Sequence, residues 1–290
     1  MIQRRLLSLA IFIMTGALAA DAQNPIFSTT ADEVRVAVFV SDNDKPVLGL
    51  NAADFEITDN GVRQEIQYTT HQMHVPISAI LVFDMGSSVA SELLDHLKGA
   101  ASRLLADLKH EDRAALITFS NAVDLGSPLT RDRAQVWLAL DRLQSAGNSS
   151  LIDGSLAGLV LAESSLASPF LIIFSDGRDT FSWRTAEAVL EKAKRSDAVV
   201  YAVSAGRLLD RTFLVELTRS TGGSLFEVES IDNLAAVFLN ILGEFRQRYL
   251  VIYKPRGVSE SGWHRLDVRV KSRSVKVRAR PVYMRSSPDE

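Results

Sequence analysis

Near the start of the chain Val34, Val36, Val38 and Val40 alternate with Arg35, Ala37 and Phe39. A period of two puts the valines on one face of a β-strand and leaves a mixed face, neither apolar nor cleanly polar, on the other. Asp42-Asn43-Asp44 and Lys45-Pro46 supply turn chemistry. Phe55-Glu56-Ile57-Thr58 alternates again, and Asp59-Asn60-Gly61 marks a hairpin, because Asn-Gly tolerates the positive φ of a tight turn. The return strand covers 64–68, so 28–72 reads as a β-rich segment.

The rhythm then changes. Residues 77–83 form an apolar run broken by one Ser, the pattern of a central parallel strand buried on both faces. Further strands are predicted over 114–119, 170–174, 198–203 and 225–228. Between them apolar residues recur at helical spacing: Leu93, Leu94, Leu97, Ala101, Leu104, Leu105 and Leu108 share one helix face. Helices are likewise expected over 136–143, 151–166, 186–195, 213–219 and 231–245. Lys192, Lys194 and Arg195 close the 186–195 helix, where cations suit the negative end of the dipole. This alternation predicts an α/β fold over 75–246, a doubly wound, mostly parallel sheet with helices on both faces.

After 246 the β pattern returns. Residues 249–253 form one strand; Leu266, Val268 and Val270 alternate with Asp267, Arg269 and Lys271, and Val275, Val277 and Ala279 with Lys276, Arg278 and Arg280. These alternating cations read as the solvated face of a strand, not as a nucleic-acid patch. The segments 28–72 and 247–285 each supply about three strands, and such a sheet needs a partner to cover its apolar face. They are expected to pack together as one smaller β-sandwich-like domain, with the α/β segment inserted between them. Two independent β modules are the alternative.

Composition narrows the function classes. With 290 residues, 47% of them hydrophobic, the chain can bury a sizeable core. A net charge of −3 gives no push toward nucleic acid, whose backbone rewards clustered Lys and Arg. The absence of cysteine excludes disulfides, thiolate nucleophiles, Cys-based zinc sites and lipid attachment to Cys. Arg4 and Arg5, the apolar run 6–18 and the small-residue sites Ala17-Leu18-Ala19 and Ala20-Asp21-Ala22 make the three-part pattern of a secretory signal peptide over 1–22. A membrane anchor is the alternative, but the run is shorter than the roughly 20 residues a spanning helix needs. The mature chain is therefore expected to be exported, periplasmic or secreted, without a membrane span.

In an open α/β sheet, ligands bind outside the carboxyl ends of the strands. The first parallel strand is followed by Asp84-Met85-Gly86-Ser87-Ser88 and the 170–174 strand by Ser175-Asp176-Gly177-Arg178-Asp179. Gly147-Asn148-Ser149-Ser150 opens a helix between them. Asp84, Ser88, Ser149 and Asp176 could meet at one spot, an all-oxygen environment that suits a hard cation such as Mg²⁺. From about 77 to 245 the chain resembles a von Willebrand factor A domain. That family's metal-ion-dependent adhesion site uses Asp-x-Ser-x-Ser, a later Thr and the Asp of an Asp-Gly pair. Asp84 and Ser88 match the ends of the first motif, Ser149 falls at the Thr, and Asp176 with Gly177 matches the second acid. Gly86 replaces the middle Ser, and Ser87, one residue out of register, is expected to point elsewhere. The 49–55 stretch, Asp59-Asn60-Gly61, Thr221-Gly222-Gly223 and the 248–253 stretch are similar to exported VWFA-related proteins typical of Acidobacteria.

The resemblance implies a binding module with a degenerate adhesion site. Mg²⁺, or Mn²⁺ or Ca²⁺, would be shared with the carboxylate of a partner protein that presents an acidic residue. A metal-independent structural or interaction scaffold of the cell envelope is the other reading. Taken singly, Asp84 or Ser88 could merely cap the next helix. Arg178 could neutralise Asp176 in place of a metal, unless Asp179 pairs with Arg178 and frees it. His71-x-x-His74 reads as a solvated pair in a polar connector. Trp137, Trp183 and Trp263 read as core or surface anchors. No enzyme is expected: the chain has no Gly-x-Gly-x-x-Gly, P-loop or Gly-x-Ser-x-Gly, and no histidine in a strand-end loop beside Ser88 or Asp176.

Overall fold

The structure, a computed structural model, describes residues 33–205, 210–271 and 274–285. The leader expected over 1–22 lies outside the described residues. The first β segment contains β1 (Val34–Asp42), the short β2 (Lys45–Pro46), β3 (Phe55–Asp59), β4 (Val62–Gln64) and β5 (Ile66–His71). Asn60 at φ 47° and Gly61 at φ 82° turn β3 into β4, as the Asn-Gly pair requires.

The α/β segment runs β6 (Ile77–Asp84), α1 (Ser91–Asp107), β7 (Arg113–Phe119), β8 (Val123–Thr130), α2 (Arg133–Asp141) and α3 (Leu151–Glu163). It continues through β9 (Ser168–Phe174), α4 (Ala186–Arg195), β10 (Val199–Ala205), α5 (Thr212–Ser220), β11 (Leu225–Val228) and α6 (Leu234–Arg246). Strands β11, β10, β9, β6 and β7 lie side by side in that order, all parallel, and β8 joins antiparallel at the β7 edge. All of β6 is buried. Ile77, Ala79, Leu81 and Phe83 pack in the core under α1, α2 and α6, while Ile80 and Val82 pack under α3, α4 and α5. This two-sided burial is why the strand reads as a continuous apolar run.

Strand β8 escaped the sequence pattern because Gly126 and Pro128 interrupt it. An edge strand tolerates both, since one of its sides has no ladder to complete. The last helix starts at Leu234 rather than at 231, because Ile231–Asn233 is a 3₁₀ turn capped by the Ser230 side chain. Gly223 marks a close approach: a Cβ there would sit 1.8 Å from the Val200 carbonyl oxygen.

After α6 come β12 (Tyr249–Tyr253), β13 (Gly262–Val270), β14 (Lys276–Arg278) and β15 (Val282–Arg285). One antiparallel sheet has the order β14-β1-β12-β5, with β2 on β1, and a second has the order β15-β13-β3-β4. Both sheets therefore mix strands from before and after the α/β segment, alternating in the first and meeting at β13 and β3 in the second, with Val36 facing Val251 and Ile57 facing Val268. The two sheets share a core in which the β1 valines meet Phe55, Ile57, Tyr249, Val251, Tyr253 and Tyr283.

Two expectations about this region fail. The cations of 271–280 are not all solvated. Arg280 is buried and donates to Asp197 (2.7 Å), to the Ser196 carbonyl and to the Arg35 carbonyl (2.8 Å). Arg278 pairs with Glu244 at 2.6 Å. They face the α/β segment, whose strand and helix ends supply the acceptors. Of the histidine pair His74 is exposed as expected, whereas His71 is half-buried: its ring lies 4.2 Å from that of Tyr249, and burial, with the nearby His74, holds its pKa down. Among the described residues no helix is long and apolar enough to cross a membrane.

Candidate functional site

Asp84 is the last residue of β6 and is buried. Its Oδ1 accepts from the Gly86 N–H at 2.9 Å, and its Oδ2 accepts from the Ser149 hydroxyl at 2.8 Å and the Ser175 hydroxyl at 2.9 Å. Ser175 Oγ in turn accepts from the Gly177 N–H at 3.1 Å, and Gly177 sits at φ 86°. Burial pushes the Asp84 carboxyl above its ordinary range; the three donors pull it back only partly, and the charge of nearby Asp176 raises it further.

Asp176, the next strand-end acid, is held by Arg178. The Arg178 backbone N–H reaches Asp176 Oδ1 at 3.1 Å, and its Nε and Nη2 each reach Oδ2 at 3.3 Å. Asp179 does not release Asp176 by taking the guanidinium. Its Oδ1 accepts instead from the Ile152 N–H (3.2 Å) and the Ser182 hydroxyl (2.5 Å), capping the start of α3. The exchange is reciprocal: Asp153 of α3 accepts from the backbone N–H groups of Trp183 (2.8 Å) and Arg184 (3.0 Å). The loop after β9 is thereby tied to a helix terminus whose free N–H groups need acceptors.

Gly86, Ser87, Ser88, Ser149, Asp176 and Arg178 line one cleft of about 130 Å³, with Gly147, Asn148 and Thr180. The site residues read from the sequence thus converge, with Asp84 directly beneath through Ser149. Ser87 is also among the residues that line the cleft, and its backbone N–H is tied to the Gly147 carbonyl at 3.0 Å. Sequence reasoning passed over two supports. Ser175 bridges Asp84 to Gly177, and Thr180 accepts from the Ser149 N–H at 3.1 Å while its own N–H binds the Ser149 carbonyl at 2.8 Å. Ser175 was open to discovery as a strand-end hydroxyl; Thr180 carries no local signal, because its partner lies 31 residues away.

The donor set does not fit a divalent cation as it stands. Gly86 offers no hydroxyl, and a Cβ there would lie 2.8 Å from the Asn148 carbonyl oxygen, so the loop has closed over the space a serine would need. Both Asp84 oxygens already accept hydrogen bonds. The Asp176 carboxylate already faces a positive charge, that of Arg178.

A doubly wound sheet with this rim, strand-end acids and a helix-opening serine above the central strand, defines an A-type α/β module. The family model for the von Willebrand factor type A domain matches residues 80–240, and the chain belongs to that family. Among solved structures it is similar to proximal thread matrix protein 1 from the mussel byssus, at 16% identity and a TM-score of 0.54 over 64% of this chain. The match spans half the length of that chain. The same mussel protein with a zinc-occupied metal-ion-dependent adhesion motif matches with a TM-score of 0.52, at 15% identity over 64% of this chain and 49% of that one. A von Willebrand factor type A protein from Catenulispora acidiphila matches at 11% identity and a TM-score of 0.54, over 86% of this chain and 76% of that one. At these identities the likeness is one of fold.

Proposed function

We propose that the chain is an exported, non-catalytic interaction module that docks a partner protein on the rim of the Asp84 cleft. Trp183 carries this reading. It is 88% exposed, yet its backbone is pinned to Asp153, and Phe181 in the same loop is 43% exposed. Aromatic side chains on a fixed backbone bury large area at small entropic cost and dominate binding surfaces. A tryptophan left in water on a tethered loop beside a polar cleft is what such a surface requires.

The cleft chemistry suggests what the partner presents. The Arg178 guanidinium is half exposed above Asp176, with the Ser88 hydroxyl on the same cleft. A guanidinium has more donors than Asp176 uses and can receive an acidic side chain directly. In this reading Arg178 takes the place of the divalent cation in a degenerate adhesion site. The second reading keeps the cation, Mg²⁺ or Mn²⁺ or Ca²⁺, shared between Asp84, Ser88, Ser149, Asp176 and the partner carboxylate. The convergence of those four residues supports it, as does the zinc held by the mussel protein.

Calorimetric titration with Mg²⁺ and Mn²⁺ separates the two. We expect no saturable heat at millimolar metal; saturable binding abolished by Asp176→Ala would restore the cation. The organisation proposed for the whole is a small β domain, 28–72 with 247–285, that carries the 75–246 module as an insertion. The docking reading itself is tested by partner capture from the native envelope with and without chelator. Capture should survive the chelator and be lost with Trp183→Ala.

A further inference from the structure

A helix on the surface of a fold ordinarily turns a polar face to water. Helix α3 does not. Leu151, Gly154, Gly158, Leu159 and Ala162 are buried on its inner side, and its 13 residues include only two charges, Asp153 and Glu163. Helical spacing puts Asp153, Leu156, Ala157 and Val160 on the outer side, and Val160 is 51% exposed. Among the described residues the two most exposed large apolar side chains lie at the ends of this stripe. Trp183 is tied through its backbone to Asp153 at the start of the helix. Leu166, 92% exposed, comes just after its last turn.

The charges at the two ends are complementary. Arg184, beside Trp183, is exposed, and among the described residues its guanidinium has no carboxylate within salt-bridge distance. Glu163, at the Leu166 end, is partly exposed and meets one cation, Lys192 at 2.5 Å. Asp153 is already occupied by the Trp183 and Arg184 backbone N–H groups. One end of α3 thus offers a tryptophan with an arginine, and the other a leucine with a glutamate.

We propose that a second copy of the chain covers this face, the two α3 helices lying antiparallel about a two-fold axis that crosses each near its middle. A two-fold interface uses the same patch on both copies, so the patch must complement itself when turned end for end. This one does. The rotation lays Trp183 on Leu166 of the second copy and Arg184 on Glu163 of the second copy, and each contact is made twice. The small side chain of Ala157 near the crossing lets the helices approach closely, and antiparallel alignment sets opposite dipole ends side by side. Each tryptophan brings roughly 150–250 Å² of surface, a substantial part of the about 800 Å² that each side of a standard interface buries. The inference rests on the reading of Trp183 as a docking residue, and it names the partner of that reading as the chain itself and the acidic residue as Glu163.

Analytical ultracentrifugation of the full chain tests it, and a reversible dimer is expected in the micromolar range. Trp183→Ala and Leu166→Asp should each weaken the dimer by about tenfold or more. Neither should disturb the fold, because both side chains stand in water. Charge reversal adds a readout that misfolding cannot imitate. Arg184→Glu and Glu163→Arg should each weaken self-association, and an equimolar mixture of the two variants should form a heterodimer, in which each crossed contact again joins opposite charges. The proposal is overturned by a chain that stays monomeric at hundreds of micromolar. It is equally overturned by a dimer indifferent to Trp183→Ala or Leu166→Asp, or by a mixture that fails to pair. Its failure is distinct from failure of the docking reading: a monomeric chain that captures an envelope protein, and loses it with Trp183→Ala, keeps the rim as a docking surface and removes the second copy as its occupant.

Discussion

At Gly86 a hydrogen does what no side chain could. With the Asn148 carbonyl oxygen 2.8 Å from where a Cβ would stand, Gly86→Ser must push two loops apart. It should cost about 1–3 kcal/mol, the usual toll of overpacking, without creating Mg²⁺ binding; chemical denaturation and calorimetry read the two effects. Asp84 makes a prediction with a definite sign. Burial raises its folded pKa above the unfolded value, so the native state disfavours the ionised form. The native state therefore keeps its full margin below the ordinary carboxylate range and loses it as pH rises through the raised value. The stability of the wild type relative to Asp84→Asn should fall from mildly acidic to neutral pH; a gap that does not change with pH would contradict this account.

Single elements show how the rim and the lower junction are held. The loop after β9 exchanges four hydrogen bonds with the start of α3, two from each side. Trp183 itself contributes almost nothing to that framework, so Trp183→Ala should shift stability by no more than about 0.5 kcal/mol while removing partner binding. Asp153→Ala should harm both, because it frees the Trp183 and Arg184 backbone N–H groups together. Urea denaturation beside a binding measurement distinguishes these outcomes. At the other end, Arg248 follows α6 and is fully buried. It donates to the Tyr201 hydroxyl at 2.9 Å, the Gly222 carbonyl at 2.7 Å and Glu244 at 3.1 Å, joining β10, the turn after α5 and α6. Arg248→Met leaves those acceptors short of a donor in a dry interior and should cost about 3 kcal/mol or more.

Over the whole molecule, the same arginines tie the antiparallel sheets to the α/β segment. Arg248 reaches the Ala37 carbonyl of β1, and Arg280 reaches both Asp197 and the Arg35 carbonyl. Links of this kind should make the described chain unfold as one unit. Fluorescence of Trp137 on α2 and Trp263 on β13, each as the sole tryptophan, should give coincident denaturation midpoints in the wild-type background. Arg280→Ala should separate them. Separate midpoints with Arg280 intact would mean that the two parts unfold independently.

Local spacing by itself determined most of the strands and helices, that the central sheet is mostly parallel, and that two acids and two serines sit at strand and helix ends; it did not reveal the antiparallel edge strand β8. Those properties follow from the period of apolar residues and from turn chemistry, which act over a few neighbours. Only the tertiary structure decided the rest. It placed Arg178 on Asp176 rather than on Asp179, closed the loop over Gly86, set Ser87 among the residues that line the cleft, and turned Arg278 and Arg280 inward to acidic partners. It also left Gln72 buried without a donor. Each of these depends on which distant backbone or side chain arrives within hydrogen-bond or contact distance, and no periodicity along the chain encodes that arrival.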